Sequence, residues 1–385
     1  MTDQLAVTAT PFKWQNPSEI PTRQWQFGRH AVRQYLSATV APGGVGKTAL
    51  AMAETVAFVS GRDLLNDHLL ESGPAWYIGL EDPLEEYQRR IAAIALQHKL
   101  WAQDLEGRLF LDSGREQNFV IARETSNGVL IADPIVDAII ENICRNKIAH
   151  LTIDPFVASH SVRENDNNAI EEVVRVWAYV ADVTLAAVEL VHHVRKLAPG
   201  QEITADDARG ARALVDKARS VRLLSAMTKE EAEKAGVDDP RRFFRVIPGK
   251  ANLFLPPEGG TWRQLKSVSL DNGEGGPSDI VQAVTPWAWP DAFADVTTDD
   301  LRRVQDVVAT GEYRADSQAT EWVGKAVGAV LEQEAQSAQG QDTDRYLDEE
   351  RSPSSARRGP IRSGVPSTLL LLLETLSESC TTLQG

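Results

Sequence analysis

Cysteine is scarce in this 385-residue chain: only Cys144 and Cys380 occur, far apart and with no neighbours spaced as metal ligands. That usage fits a reducing compartment and supplies no cysteine metal site. Long apolar runs are missing too. The longest, such as TLLLLLETL near the end, fall far below the roughly 20 residues a membrane-spanning helix needs. The N-terminal stretch MTDQLAVTATPFKWQNPSEIPTRQWQFGRH has no basic start followed by an apolar core. A soluble, cytoplasmic protein with no membrane partner is expected. Positive charge is the rarer sign, and the net charge of -15 argues against a protein that coats nucleic acid with its whole surface. A local patch remains open, because Arg195, Lys196, Arg209, Arg212, Lys217, Arg219 and Arg222 crowd one segment against four carboxylates.

What the chain does contain is an ordinary globular composition and enough length for two domains. Its most informative stretch is ATVAPGGVGKTALAMAETVAFV, residues 38–59. A phosphate-binding loop needs backbone N–H groups converging on oxygen atoms, glycines that let the turn form, a lysine cation and a hydroxyl for a metal. Gly43, Gly44 and Gly46 allow close backbone approach, Lys47 reaches the terminal phosphates, and Thr48 is placed to ligate magnesium at a helix start, whose dipole favours the anion. Ala41 departs from the usual pattern, which opens on glycine, so the strand must leave the sheet there without a positive φ. The competing reading is a tight strand-to-helix turn with no ligand.

Around this loop, apolar runs alternate between two periods. Strands are expected in AVRQYLSATVA, AWYIGL, RLFLDSG, AHLTIDPF and TLAAVELVHHV, and helices over 47–60 and in LEEYQRRIAAIALQ, IVDAIIENIC and AIEEVVRVWAYVA. Such alternation predicts an α/β fold, a mostly parallel sheet flanked by helices. Residues 209–270 read as further strands extending the same sheet, and DNGEGGPSD reads as the start of a linker. The expected division is an N-terminal extension 1–29, an ATPase domain 30–270, a linker 271–297, a helical helix-turn-helix module 298–336 and a disordered tail 337–385. A helical hairpin packed on the core explains the 298–336 pattern equally well.

Hydrolysis at such a loop also needs a carboxylate beside the metal and a group that orients or deprotonates water. Asp154 closes the strand HLTID and suits the metal; a turn aspartate is the alternative. Glu81 and Asp82 in YIGLEDP are placed for the water, although Asp-Pro also simply begins turns. His192 and His193 end LVHH, where a polar pair either senses the γ-phosphate or caps the strand.

The ordered series APGGVGKT, YIGLEDP, HLTIDPF, LVHHVRK and ARGARALVDKARSVRLLSAM, continued through GVDDPRRFFRVIPGKANLFLPP, resembles the RecA-like P-loop ATPases of the plasmid RepA type, hexameric replicative helicases of mobile elements. The likeness spans roughly residues 30–265. It implies ATP and Mg2+ as cofactors, bound by Gly43, Gly44, Val45, Gly46, Lys47, Thr48 and Ala49, with Thr48 and Asp154 on the metal. It further implies Glu81 as base, His193 as sensor beside His192, Arg219 as an arginine finger offered to a neighbouring subunit, and Lys250 and Asn252 at that interface. Arg195, Lys196, Arg209 and Arg212 would then contact single-stranded DNA in the channel of a homo-oligomeric, hexameric ring, and relatives append a winged-helix-like C-terminal module. The expected function is an ATP-driven motor on single-stranded DNA, a RepA-type helicase. The alternatives are a non-motor ATPase switch whose C-terminal helices dock DNA or a partner, and a nucleotide-binding protein with degraded catalysis, suggested by Ala41.

Overall fold

The computed structural model describes residues 8–194, 212–255, 259–290, 296–314 and 320–330. In chain order its elements are β1 (Trp25–Phe27), β2 (Ala31–Val32), β3 (Leu36–Pro42), α1 (Lys47–Ser60), β4 (Ala75–Gly79), α2 (Leu84–His98), α3 (Ala102–Leu105), β5 (Leu109–Ser113), β6 (Ala122–Thr125), β7 (Gly128–Ile131), α4 (Asp133–Asn146), β8 (His150–Asp154), β9 (His160–Ser161), α5 (Asn167–Thr184) and β10 (Ala187–Val194). There follow α6 (Arg212–Lys217), β11 (Ser220–Ala226), α7 (Lys229–Ala235), β12 (Phe243–Ala251), β13 (Thr261–Ser269), β14 (Ile280–Trp287) and α8 (Thr298–Thr310). The described residues fall into two compact units, one within Met1–Lys229 and Asp239–Ala288, the other within Glu230–Asp238 and Trp289–Gly385.

The first unit is built on a nine-stranded sheet ordered β14-β13-β12-β11-β3-β10-β8-β4-β5. From β11 to β5 neighbouring strands are parallel, and β11 to β14 form an antiparallel meander. The parallel strands are buried on both faces, which is why they read as near-continuous apolar runs. Alternation divides each strand between two cores. Leu36, Ala38 and Val40 of β3, with Val188 and Leu190 of β10, pack with Val173 and Trp177 of α5 and Ile139 of α4. Ala41, Val191, Tyr77 and Phe244 pack with Leu50, Val56 and Phe58 of α1 on the other face. The sheet thus carries helices on both sides, as expected, and β11 to β13 extend it, also as expected.

Two boundaries differ from the sequence expectation. Residues 280–287, placed in a linker, form the edge strand β14, paired along its length with β13. Ala283 and Val284 are buried there, and His98 Nε2 of α2 donates to the Val284 carbonyl at 2.9 Å. At the other end β1 belongs to the core rather than to an extension: Gln26 is buried, its amide donates to the Ala149 carbonyl at 2.8 Å, and its carbonyl oxygen meets His150 Nδ1 at 2.8 Å. In the second unit, α8 begins at a reciprocal cap between Thr297 and Asp300. Residues 323–330 are also helical, after a bridge between Arg314 and Trp322. The tail expected at 337–385 lies outside the described residues.

Candidate nucleotide site

The glycine loop joins β3 to α1. Ala41 is fully buried and still part of β3, so the position where glycine is usual needs no positive φ here. The turn is made further on, by Gly44 at φ +81 and Gly46 at φ +110. A Cβ on Gly43 or Gly44 would meet nothing within 4 Å, whereas one on Gly46 would stand 3.0 Å from the Phe244 ring. The loop is therefore open on its outer side and backed by β12. Gly46 caps α1 without any side-chain hydrogen bond, which leaves the first turn of a 14-residue helix open to an anion. Lys47 is buried and donates from Nζ to the carbonyls of Ala41 at 2.9 Å and Pro42 at 2.6 Å. Burial lowers its pKa to about 8, against the opposing fields of Asp154 and Glu81.

Register brings the other groups to the same edge. Ala41 pairs with His193, Gly79 with Asp154, and Gly79 with Ser113, so the carboxyl ends of β3, β10, β8, β4 and β5 line up beside the loop. Asp154 is 4% exposed and accepts hydrogen bonds from the Tyr77 hydroxyl at 2.6 Å and from Thr48. Burial raises its pKa, while those two donors, His193 and Lys47 act the other way. Glu81 is exposed just beyond β4. Its neighbour Asp82 is committed to Arg90, whose Nη2 lies 2.9 Å away, so of the two carboxylates Glu81 is the one offered to the site. The histidines part company by strand alternation. His193 is half-buried and feels Lys47, Asp154 and Glu81, with burial first among the causes that lower its pKa. His192 points to the opposite core, its ring 6.0 Å from that of Phe156, and burial holds it neutral with a pKa of about 4. The Nε2 of His193 has no partner among the described residues.

Arg219, Lys250 and Asn252 lie elsewhere. The Arg219 amide donates to the Leu36 carbonyl at 2.9 Å and the Asn252 amide to the Arg219 carbonyl at 3.0 Å, which fixes both at the start of β3 and β11. Lys250 Nζ donates to the carbonyls of Val215 and Asp216 at 2.8 and 2.7 Å. The Arg219 side chain is exposed, its guanidinium 5.7 Å from the Tyr35 ring centroid. From Leu36 to Pro42 a strand runs about 20 Å at about 3.3 Å per residue. One chain therefore holds its phosphate loop and Arg219 at opposite ends of the same strand. Of the proposed DNA contacts, Arg195, Lys196 and Arg209 lie outside the described residues, and Arg212 is exposed 3.7 Å from Asp216. Arg222 leaves the basic patch altogether: it is buried and bound by Glu54 of α1.

Sequence reasoning passed over several residues here. Tyr77 and Tyr87 read as apolar face residues, yet both place their hydroxyls at this edge; a phenol two residues before a strand's end, or on the helix after a carboxylate pair, is the only signal they give. Beside Ala49 opens a cavity of about 360 Å³ lined by Glu86, Arg89, Arg90, Asp279 and residues 280–282 of the unexpected edge strand.

A family model described as an AAA domain matches residues 2–199, just over half of the chain. The chain belongs to the AAA domain family. The match takes in the loop, Glu81, Asp154 and His193, and an AAA domain is a P-loop ATPase domain. Its residues fit such a ligand: an uncapped helix start behind an open glycine turn for phosphates, and a Thr48–Asp154 pair of oxygen donors for Mg2+. Arg219, Lys250, Asn252 and β11 to β14 fall beyond the matched span.

Proposed function

We propose that the protein is an ATP-hydrolysing, RecA-like oligomeric motor acting on single-stranded DNA, of the plasmid RepA helicase type. The observation behind this reading is the separation of Lys47 and Arg219 by the length of β3. Arg219 is exposed and outside the reach of its own loop, so a second subunit supplies the phosphate it meets.

In this reading the backbone N–H groups of residues 43–49 bind the phosphates, and Lys47 turns from the Ala41 and Pro42 carbonyls toward them. Thr48 and Asp154 would hold Mg2+, which would supply positive charge against the phosphate oxygens. Tyr77 keeps Asp154 oriented. Glu81 accepts the proton of the attacking water, and His193 registers the terminal phosphate on the strand that runs toward residues 195–211. Arg219 of the next subunit stabilises charge on the transferred group, an effect worth about 10³–10⁵ in rate in well-studied systems.

The test is steady-state ATP hydrolysis over a range of protein concentrations, with and without single-stranded DNA, beside Lys47→Ala. Turnover per subunit that rises on assembly and on adding DNA supports the motor. DNA-independent turnover by a monomer overturns it and favours the non-motor switch.

A further inference from the structure

The two residues Glu81 and Asp82 have all four of their backbone polar groups bound by side chains. Both amides donate to one atom, the Tyr87 hydroxyl, at 3.2 Å from Glu81 and 2.9 Å from Asp82. The Glu81 carbonyl accepts from Arg115 Nε at 2.8 Å, and the Asp82 carbonyl accepts from Ser113 Oγ at 2.6 Å. Exposed turns ordinarily leave such groups to water, so this turn is built to hold one backbone position. The Tyr87 ring is buried between α2 and β4, and its place exists only because residue 79 is glycine: a Cβ there would stand 2.1 Å from the ring. Burial raises the pKa of the phenol, which stays neutral and accepts from both amides.

We propose that Tyr87 is a positioning residue for Glu81: its hydroxyl gathers the two amides and so fixes where the Glu81 carboxylate stands beside Lys47 and Asp154. Arg115 and Ser113 close the clamp from β5 and the turn after it. The proposal rests on the reading of Glu81 as the group that accepts the proton from water. The Tyr87 hydroxyl bonds the amides of Glu81 and Asp82, and its effect passes through that backbone. A carboxylate displaced by about 1 Å loses on the order of 10²-fold in rate without loss of ground-state binding.

The experiment measures kcat, KM and the affinity for a fluorescent ATP analogue in the full chain, with thermal unfolding alongside. Tyr87→Phe keeps the ring and removes the acceptor; kcat falls about 10- to 100-fold while nucleotide affinity stays within about threefold. Gly79→Ala keeps the hydroxyl and displaces the ring, and gives the same signature. Arg115→Gln, on the exposed side of the turn, folds normally and lowers kcat several-fold. Glu81→Gln separates the two layers of the claim. If Glu81→Gln is inactive while Tyr87→Phe turns over normally, the positioning role is overturned and the role of Glu81 stands. If Tyr87→Phe loses nucleotide affinity in step with kcat, the residue is merely structural and the proposal is overturned. If Tyr87→Phe does not fold and Arg115→Gln turns over normally, it is overturned as well. If Glu81→Gln retains normal turnover, the role of Glu81 and the clamp proposal fall together.

Discussion

Arg222 is the most heavily engaged buried cation among the described residues of the sheet. It binds Glu54 on α1 through both terminal nitrogens, donates from Nε to Thr39 on β3 at 2.8 Å, and lies 3.9 Å from Glu189 on β10. Glu189 in turn accepts from Ser37, Thr39 and His30. Removing the cation leaves the buried Glu54 carboxylate without its partner, so Arg222→Ala costs about 3–5 kcal/mol in denaturant unfolding. Acid sensitivity follows from the same interior. Burial holds His150 neutral with its pKa lowered to about 4. The unfolded chain binds that proton near 6.5, so stability is full above about pH 6.5 and declines by about 3 kcal/mol as pH falls to 4. Burial works to raise the pKa of Glu189, but His30, Arg222 and Ser37 bring it down to about 2, so its contribution is present above about pH 4.5 and drains below that. Denaturation midpoints between pH 7.5 and 4 check this, and His150→Gln flattens the upper part of the slope. Residue types at such places were visible in the sequence; their partners were not. HisHis is a case in point, because the pair becomes two different residues only when β10 assigns one to each face.

Elements show where pattern reading succeeds and where physics hides the signal. The loop, α1 and the parallel strands were legible because glycines at a turn and apolar runs buried on both faces leave little else for the chain to do. Strand β14 was not, since IVQAVTPW follows a glycine-rich turn, carries a proline that only an edge tolerates, and leaves Ile280 68% exposed. The clamp on Glu81 was hidden for a different reason: its residues come from β4, α2, β5 and the turn after it, and no local spacing records the meeting. A chain stopped at residue 270, where the domain was expected to end, strips β14 from β13 and uncovers the core around Ala283 and Val284. It is expected to unfold without cooperativity, while a chain stopped at residue 290 keeps a cooperative transition; circular dichroism on heating distinguishes them. Gly46→Ala tests the loop itself: positive φ and the Phe244 ring both oppose a Cβ, so nucleotide affinity falls at least tenfold by equilibrium binding.

For the whole molecule, the opposite placement of loop and Arg219 along β3 predicts a complementation that neither partner shows alone. Lys47→Ala lacks a working loop and keeps its arginine; Arg219→Ala has the reverse. Mixed in equal amounts, they form a competent junction wherever an Arg219→Ala loop faces a Lys47→Ala arginine, about a quarter of junctions under random head-to-tail order. Measurable hydrolysis from two inactive proteins is the expected result, and an inactive mixture counts against a shared site. The same strand has a geometric consequence. In the proposed motor, a socket at one end of each subunit and a plug at the other join head to tail, which is a heterologous contact. Any finite open row leaves one loop without its arginine and one arginine without its loop, and only closure into a circle removes both loose ends. β3 thus gives each subunit a polarity, and in the ring we propose every subunit faces the threaded strand in the same sense.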